Sequence, residues 1–141
     1  MNSLSLANNI AELIFSKKGY DVKILDLREV ASFADYFIIC TADSDTQVKA
    51  IADEIDKTLR DKGLKCWHKE GYKALSWVLL DYVDVVVHVF KKEMRVFYNL
   101  EKLWGDAPIT EVVDPLIAKM NKEKEELKEK KPVRKTKATR K

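Results

Sequence analysis

From Ser5 to Lys18 the apolar residues fall at Leu6, Ile10, Leu13 and Ile14, the spacing of three and four that gathers side chains on one face of a helix. Lys17 and Lys18 stand where a helix C-terminus favours positive charge, and Gly19 ends the segment. Two strand-like runs follow, Val22 to Leu27 and Asp35 to Thr41. The second, DYFIICT, is apolar on both alternating faces, which predicts a strand inside the sheet. The loop REVASFA between them suits an antiparallel pair. Ser44 followed by Gln47 is a capping-box pattern, and behind it Val48, Ile51, Ala52, Ile55 and Leu59 form one apolar stripe closed by Gly63. This predicts a second helix, then a strand over Leu64 to His68 that returns parallel to Asp35–Thr41 by a right-handed crossover.

The run SWVLLDYVDVVVHVF, Ser76 to Phe90, organises the rest. Read as a hairpin turning at Tyr82 and Val83, it pairs Asp81 with Asp84, Leu79 with Val86 and Trp77 with His88. Side chains alternate along each strand, so Val78, Leu80, Val85, Val87 and Val89 face the core. The six paired residues share the other face, which is apolar and acidic together. Carboxylates directly opposite one another repel, a cost that points to a partner. The competing reading is a sheet centre covered on both faces, with His88 a satisfied core histidine. Val83 also resists the positive φ of a two-residue turn, and a longer loop would move the pairs while keeping the alternation. Glu70 and Gly71 open the loop that leads into the hairpin. Phe97, Leu100 and Trp104 then predict a helical segment over Met94 to Trp104, and Asp114–Pro115 marks the start of a charged helix running to Lys130, before Pro132.

Length and charge divide the chain in two. Its 141 residues fit one domain and an extension. From Lys119 onward there are 11 Lys or Arg against 4 Glu, so of the net charge of +3 the body through Ala118 holds −4. The body is acidic and the tail basic. Lys130, Lys131, Arg134, Lys135, Lys137, Arg140 and Lys141 form a run that meets phosphate backbones through charge alone, or serves only as a solvated tail. Cys40 and Cys66 show no close metal or redox spacing, which fits a reducing compartment. No run approaches a membrane span, and NSLSLANNIAELIF is broken by Asn8, Asn9 and Glu12, unlike a signal peptide. A soluble cytoplasmic protein is expected.

Two kinds of chemistry can be drawn. Asp43, Asp45, Asp81 and Asp84 would suit a magnesium-dependent nucleotidyl or phosphoryl transferase. The turn CTADSD carries no glycine, however, and its acids would repel a phosphate. Cys40, Cys66, His68 and His88 could be drawn as a zinc site, but all lie in or beside apolar strands rather than in close turn-based pairs. The expectation is a protein with no cofactor and no catalysis.

DYFIICTADS, AIADEI, GLK, WVLLDYVDVVVHVF and FYNLEKLWGDA, in that order between Leu4 and Pro108, resemble the ribosomal silencing factor family, also called RsfS or Iojap. The resemblance implies an α/β fold: a single domain over residues 1–108 with a mixed five-stranded sheet and flanking helices, nucleotidyltransferase-like without the catalytic residues, followed by the charged extension, 109–141. It implies binding to the large ribosomal subunit through the ribosomal protein numbered fourteen, so that the small subunit cannot join and translation is damped when nutrients are scarce. It also implies a homodimer when free. The family's contact surface would fall here on Trp77, Leu79, Asp81, Tyr82 and Asp84, with His88, Glu70 and Tyr98 beside them. Val83 stands where the family often has Gly.

Overall fold

The computed structural model describes residues 2–116, 119–120 and 122–127, without the side chains of 96–98. The elements in order are α1 (Ser3–Ser16), β1 (Tyr20–Asp26), β2 (Tyr36–Ala42), α2 (Asp45–Asp61), β3 (His68–Glu70), β4 (Trp77–Asp81), β5 (Val85–Lys91), α3 (Lys92–Tyr98), α4 (Leu100–Leu103) and β6 (Ile109–Val112). The six-stranded sheet runs β3-β4-β5-β2-β1-β6. Only β2 and β5 pair in parallel; the other neighbours are antiparallel.

Local chemistry sets the two long helices. Asn2 caps α1 by accepting from the Ser5 amide at 2.7 Å, and Ser44 caps α2 through the Gln47 amide. The Gln47 side chain accepts from the Asp43 amide at 2.7 Å and donates to the Lys18 carbonyl at 2.8 Å, so one residue ties the end of α1 to the start of α2. The helix stop is divided differently from expectation. Lys18 takes the left-handed φ of 69°, and Gly19 is needed for space, since a Cβ there would meet Ile14 at 2.4 Å.

Both helices lie on one face of the sheet. Their stripes bury Leu6, Ile10, Ile14, Val48, Ile51, Ile55 and Leu59 against Ile38, Cys40, Val78, Leu80, Val85, Val87 and Val89. The opposite face carries a second cluster of Leu25, Leu27, Phe37, Ile39, Val86 and Phe90, beneath Leu100, Trp104 and Ala107. Arg95 fastens that cover. Its buried guanidinium donates to Thr41 Oγ1 (2.6 Å), the Asp21 carbonyl (2.9 Å) and Glu101 (2.7 Å). Burial alone would raise the Glu101 carboxyl, but hydrogen bonds and charge from Arg95 outweigh it and hold the group below its ordinary range.

Two expectations are corrected. The strand read over Leu64 to His68 is instead β3, a short edge strand antiparallel to β4; the parallel partner of β2 is β5, whose Val-rich sequence suits a strand buried on both faces. The sheet has six strands rather than five. The sixth, β6, pairs with β1 and comes from beyond the boundary drawn at Pro108. Of the charged helix read after Asp114, residues 115–116, 119–120 and 122–127 are helical, and the basic run from Lys130 lies outside the described residues.

Two stability predictions follow from this packing. Arg95→Ala leaves Glu101 without its main partner and should lower the unfolding free energy by about 3 kcal/mol in urea titrations. Val83 is a β-branched residue at φ 73°, so Val83→Gly should raise stability by about 1 kcal/mol in the same assay.

Candidate functional site

The second face of the sheet is covered only in part. Pairing places its residues in rows: His68, Asp81, Val86 and Phe37; Glu70, Leu79, His88 and Ile39; Trp77, Phe90 and Thr41. The β2 and β5 ends of the rows are buried. Towards β4 and β3 the cover stops, leaving Trp77, Leu79 and Asp81 half-buried and His68 and Glu70 exposed, the last two paired at 2.6 Å. Gly71, at φ 91°, brings the chain so close to β4 that a Cβ would sit 1.9 Å from the Trp77 carbonyl oxygen. No other residue type fits that turn.

Trp77 is held from beneath. Its ring stacks on Phe90 with centroids 4.9 Å apart, and its indole N–H donates to His88 Nδ1 at 3.1 Å. His88 must therefore keep Nδ1 unprotonated and carry its proton on Nε2, which has no partner among the described residues. Phe37 meets the imidazole edge-on at 4.5 Å. Burial pushes the His88 pKa down from 6.5 to about 3, so the ring is neutral.

The hairpin turns differently from the expected two-residue tip. Its loop is Tyr82, Val83 and Asp84, and the register moves by two: Asp81 pairs with Val86, Leu79 with His88 and Trp77 with Phe90. A shift of two keeps the side chains of both strands on their faces, while Asp84 passes from the expected strand into the loop. The opposed carboxylates do not occur, nor does their repulsion. Asp81 Oδ1 accepts from the Val83 amide at 2.8 Å, whereas Asp84 lines a cavity on the helical side with Leu6, Leu59 and Lys62. Tyr82 is buried in the helix-side core at 6% exposure. Its large ring is removed from any docking surface, and so is His88, at 3%.

Of the residues expected to make contact, Trp77, Leu79, Asp81 and Glu70 thus share one open area, Asp84 lies elsewhere, and Tyr82 and His88 are inside. Tyr98 falls in α3, but its side chain lies outside the described residues, as do Lys130, Lys131, Arg134, Lys135, Lys137, Arg140 and Lys141. Three residues were missed. Phe33, Trp67 and Val83 are 57%, 72% and 56% exposed, and they line an open cavity with Asp81 and Val86. An isolated Trp in the polar stretch GLKCWHKEGYK was the available signal for Trp67.

The alternative chemistries lose their geometry. Asp43 and Asp45 follow the C-terminal end of β2, while Asp81 and Asp84 lie at its other end, where the Asp84 carbonyl accepts from the Tyr36 amide. Across this strand of seven residues the acid pairs are separated by about 20 Å. Asp43 accepts from the Tyr20 hydroxyl at 2.6 Å and Asp45 pairs with Lys91 at 2.9 Å. Cys40 and His88 point to opposite faces, so the drawn zinc ligands do not converge. Burial pushes the Cys40 thiol up to about 12 and raises Cys66 as well, the reverse of what a nucleophile needs.

The family model described as "Ribosomal silencing factor during starvation" matches residues 1–141. The chain is 45% identical over 112 residues to the ribosomal silencing factor RsfS of Bacillus subtilis, covering 79% of this chain and 95% of that protein. The protein of the same name from Halalkalibacterium halodurans is 43% identical over 112 residues, covering 79% and 96%. A crystal structure of a Chromobacterium violaceum protein superimposes with a TM-score of 0.73 at 34% identity, over 80% of this chain and 94% of that one.

The buried histidine makes a pH prediction. Its folded pKa lies below its unfolded value of 6.5, so its contribution to stability is fully present above pH 6.5 and is lost progressively as pH falls towards 3. Between pH 7 and pH 5 the native protein should lose about 2 kcal/mol relative to His88→Gln, whose amide oxygen still accepts from Trp77. Urea midpoints of both proteins at the two pH values measure this. A constant difference would mean that His88 is not held neutral.

Proposed function

The chain belongs to the ribosomal silencing factor family, and from that premise we propose that it binds the large ribosomal subunit through the ribosomal protein numbered fourteen. Bound there, it keeps the small subunit from joining and represses translation under nutrient limitation. The mechanism is obstruction, with no bond made or broken. The observation that carries this reading is the uncovered half of the second sheet face, where Trp77 and Leu79 stand beside Asp81 and Glu70.

Such a surface suits a positively charged protein. The half-buried indole and the leucine supply an apolar centre that loses its remaining water on docking, and the carboxylates at the rim steer and orient a basic partner. The net −4 of the body acts in the same direction. The cationic tail adds a sequence-independent attraction to ribosomal RNA. In the free protein the same apolar area favours a homodimer, so that self-association and ribosome binding compete. A cytoplasmic location follows from ribosome binding, and no helix among the described residues is long and apolar enough to cross a membrane.

Co-sedimentation with separated subunits tests the reading. Trp77→Ala should weaken binding to large subunits by roughly 30-fold to 1,000-fold. Because that change also removes the stack on Phe90, Leu79→Arg serves as a second variant that places a like charge against the basic partner, with circular dichroism confirming the fold of both. Wild-type affinity in two folded variants would show that this face does not dock.

A further inference from the structure

At the hairpin end of the open face, three separate segments place apolar side chains around one acid. Phe33 comes from the β1–β2 loop, Trp67 from the connection between α2 and β3, and Val83 from the hairpin tip; with Val86 and Asp81 they enclose an open cavity of 520 Å³. Three large apolar residues this exposed on one cavity are not explained by the monomer's own packing.

The cavity is built rather than incidental. The Trp67 amide donates to the Asp81 carbonyl at 2.9 Å, fixing the indole's backbone beside the acid. The Val83 amide donates to Asp81 Oδ1, fixing the carboxylate's orientation. The Phe33 ring is set by Trp104 at 5.8 Å and Phe37 at 6.0 Å. Asp81 is the only charged residue in the lining, and it forms no ion pair with the described residues. An aromatic wall with a single fixed carboxylate matches one kind of side chain. A guanidinium can lie flat on an indole while donating to a carboxylate oxygen, and its apolar stem can cover Val83 and Val86.

We propose that this cavity is the seat of an arginine side chain of the docked protein partner, stacked on Trp67 and hydrogen-bonded to Asp81. The inference rests on the docking reading above and supplies its specificity element: Trp77 and Leu79 provide apolar contact, while this cavity selects for one cationic residue at a set distance from them.

Two measurements test it with the full chain. In the first, N-acetyl-arginine amide is titrated against isotopically labelled protein while the Trp67 indole N–H resonance is followed, assigned by its loss in Trp67→Phe. That resonance should shift with the arginine compound, shift little with N-acetyl-norleucine amide, and stay in place in Asp81→Asn. Equal response to both compounds, or to neither, overturns the proposal. In the second, Trp67→Ala and Asp81→Asn should each weaken large-subunit binding by roughly 5-fold to 30-fold, with a shallower salt dependence for Asp81→Asn. If both bind as wild type while Trp77→Ala and Leu79→Arg do not, the arginine seat is wrong and the docking reading stands. If all four bind as wild type, the docking reading fails, and the seat fails with it as a partner site.

Discussion

The parallel pairing of β2 with β5 is the constraint from which the remaining architecture follows. Both strands are mostly apolar and buried along nearly their whole length, so the sheet needs cover above and below. One side is met by α1 and α2, whose stripes match it closely. Among the described residues the other side has only short α3 and α4 and the turn after them, too little chain to reach across six strands. Arg95 compensates by fastening this cover over β1 and β2 through Thr41, the Asp21 carbonyl and Glu101. The cover therefore ends at β5, and β3 and β4 are left open.

That shortfall is what creates a surface with mixed character. A residue on β4 has a buried neighbour on one side and solvent on the other, so Trp77 rests on Phe90 and His88 while keeping part of its ring outside. The conformation of Trp77 is thus set by the folded chain itself. Because the His88 acceptor is neutral, it can hold the indole N–H at neutral pH.

The same topology argues against reaction chemistry of the kinds the sequence allowed one to draw. Acids that look like a cluster along the chain lie at opposite ends of β2, and the thiol and imidazole drawn as metal ligands look away from each other. A fold of this kind does not by itself carry an activity.

From the sequence alone one could read the two capped helices, the central strands, the alternation of the hairpin and the family pattern, because each depends on neighbours within a few residues. The hairpin register could not be read. Displacing the pairs by two leaves the inward and outward residues unchanged, so hydrophobic order is blind to it, and only the burial of Tyr82 into the helix-side core fixed the three-residue loop. Which face residues stay wet was likewise decided by tertiary structure. His88 and Trp77 are alike in periodicity and both flank the same strand pair, yet the extent of α3 and α4, set by Arg95 reaching residues more than fifty positions away, buries the first and leaves the second half open. Phe33, Trp67 and Val83 meet around Asp81 for the same reason: residues from three distant loops become neighbours only when the whole sheet is assembled.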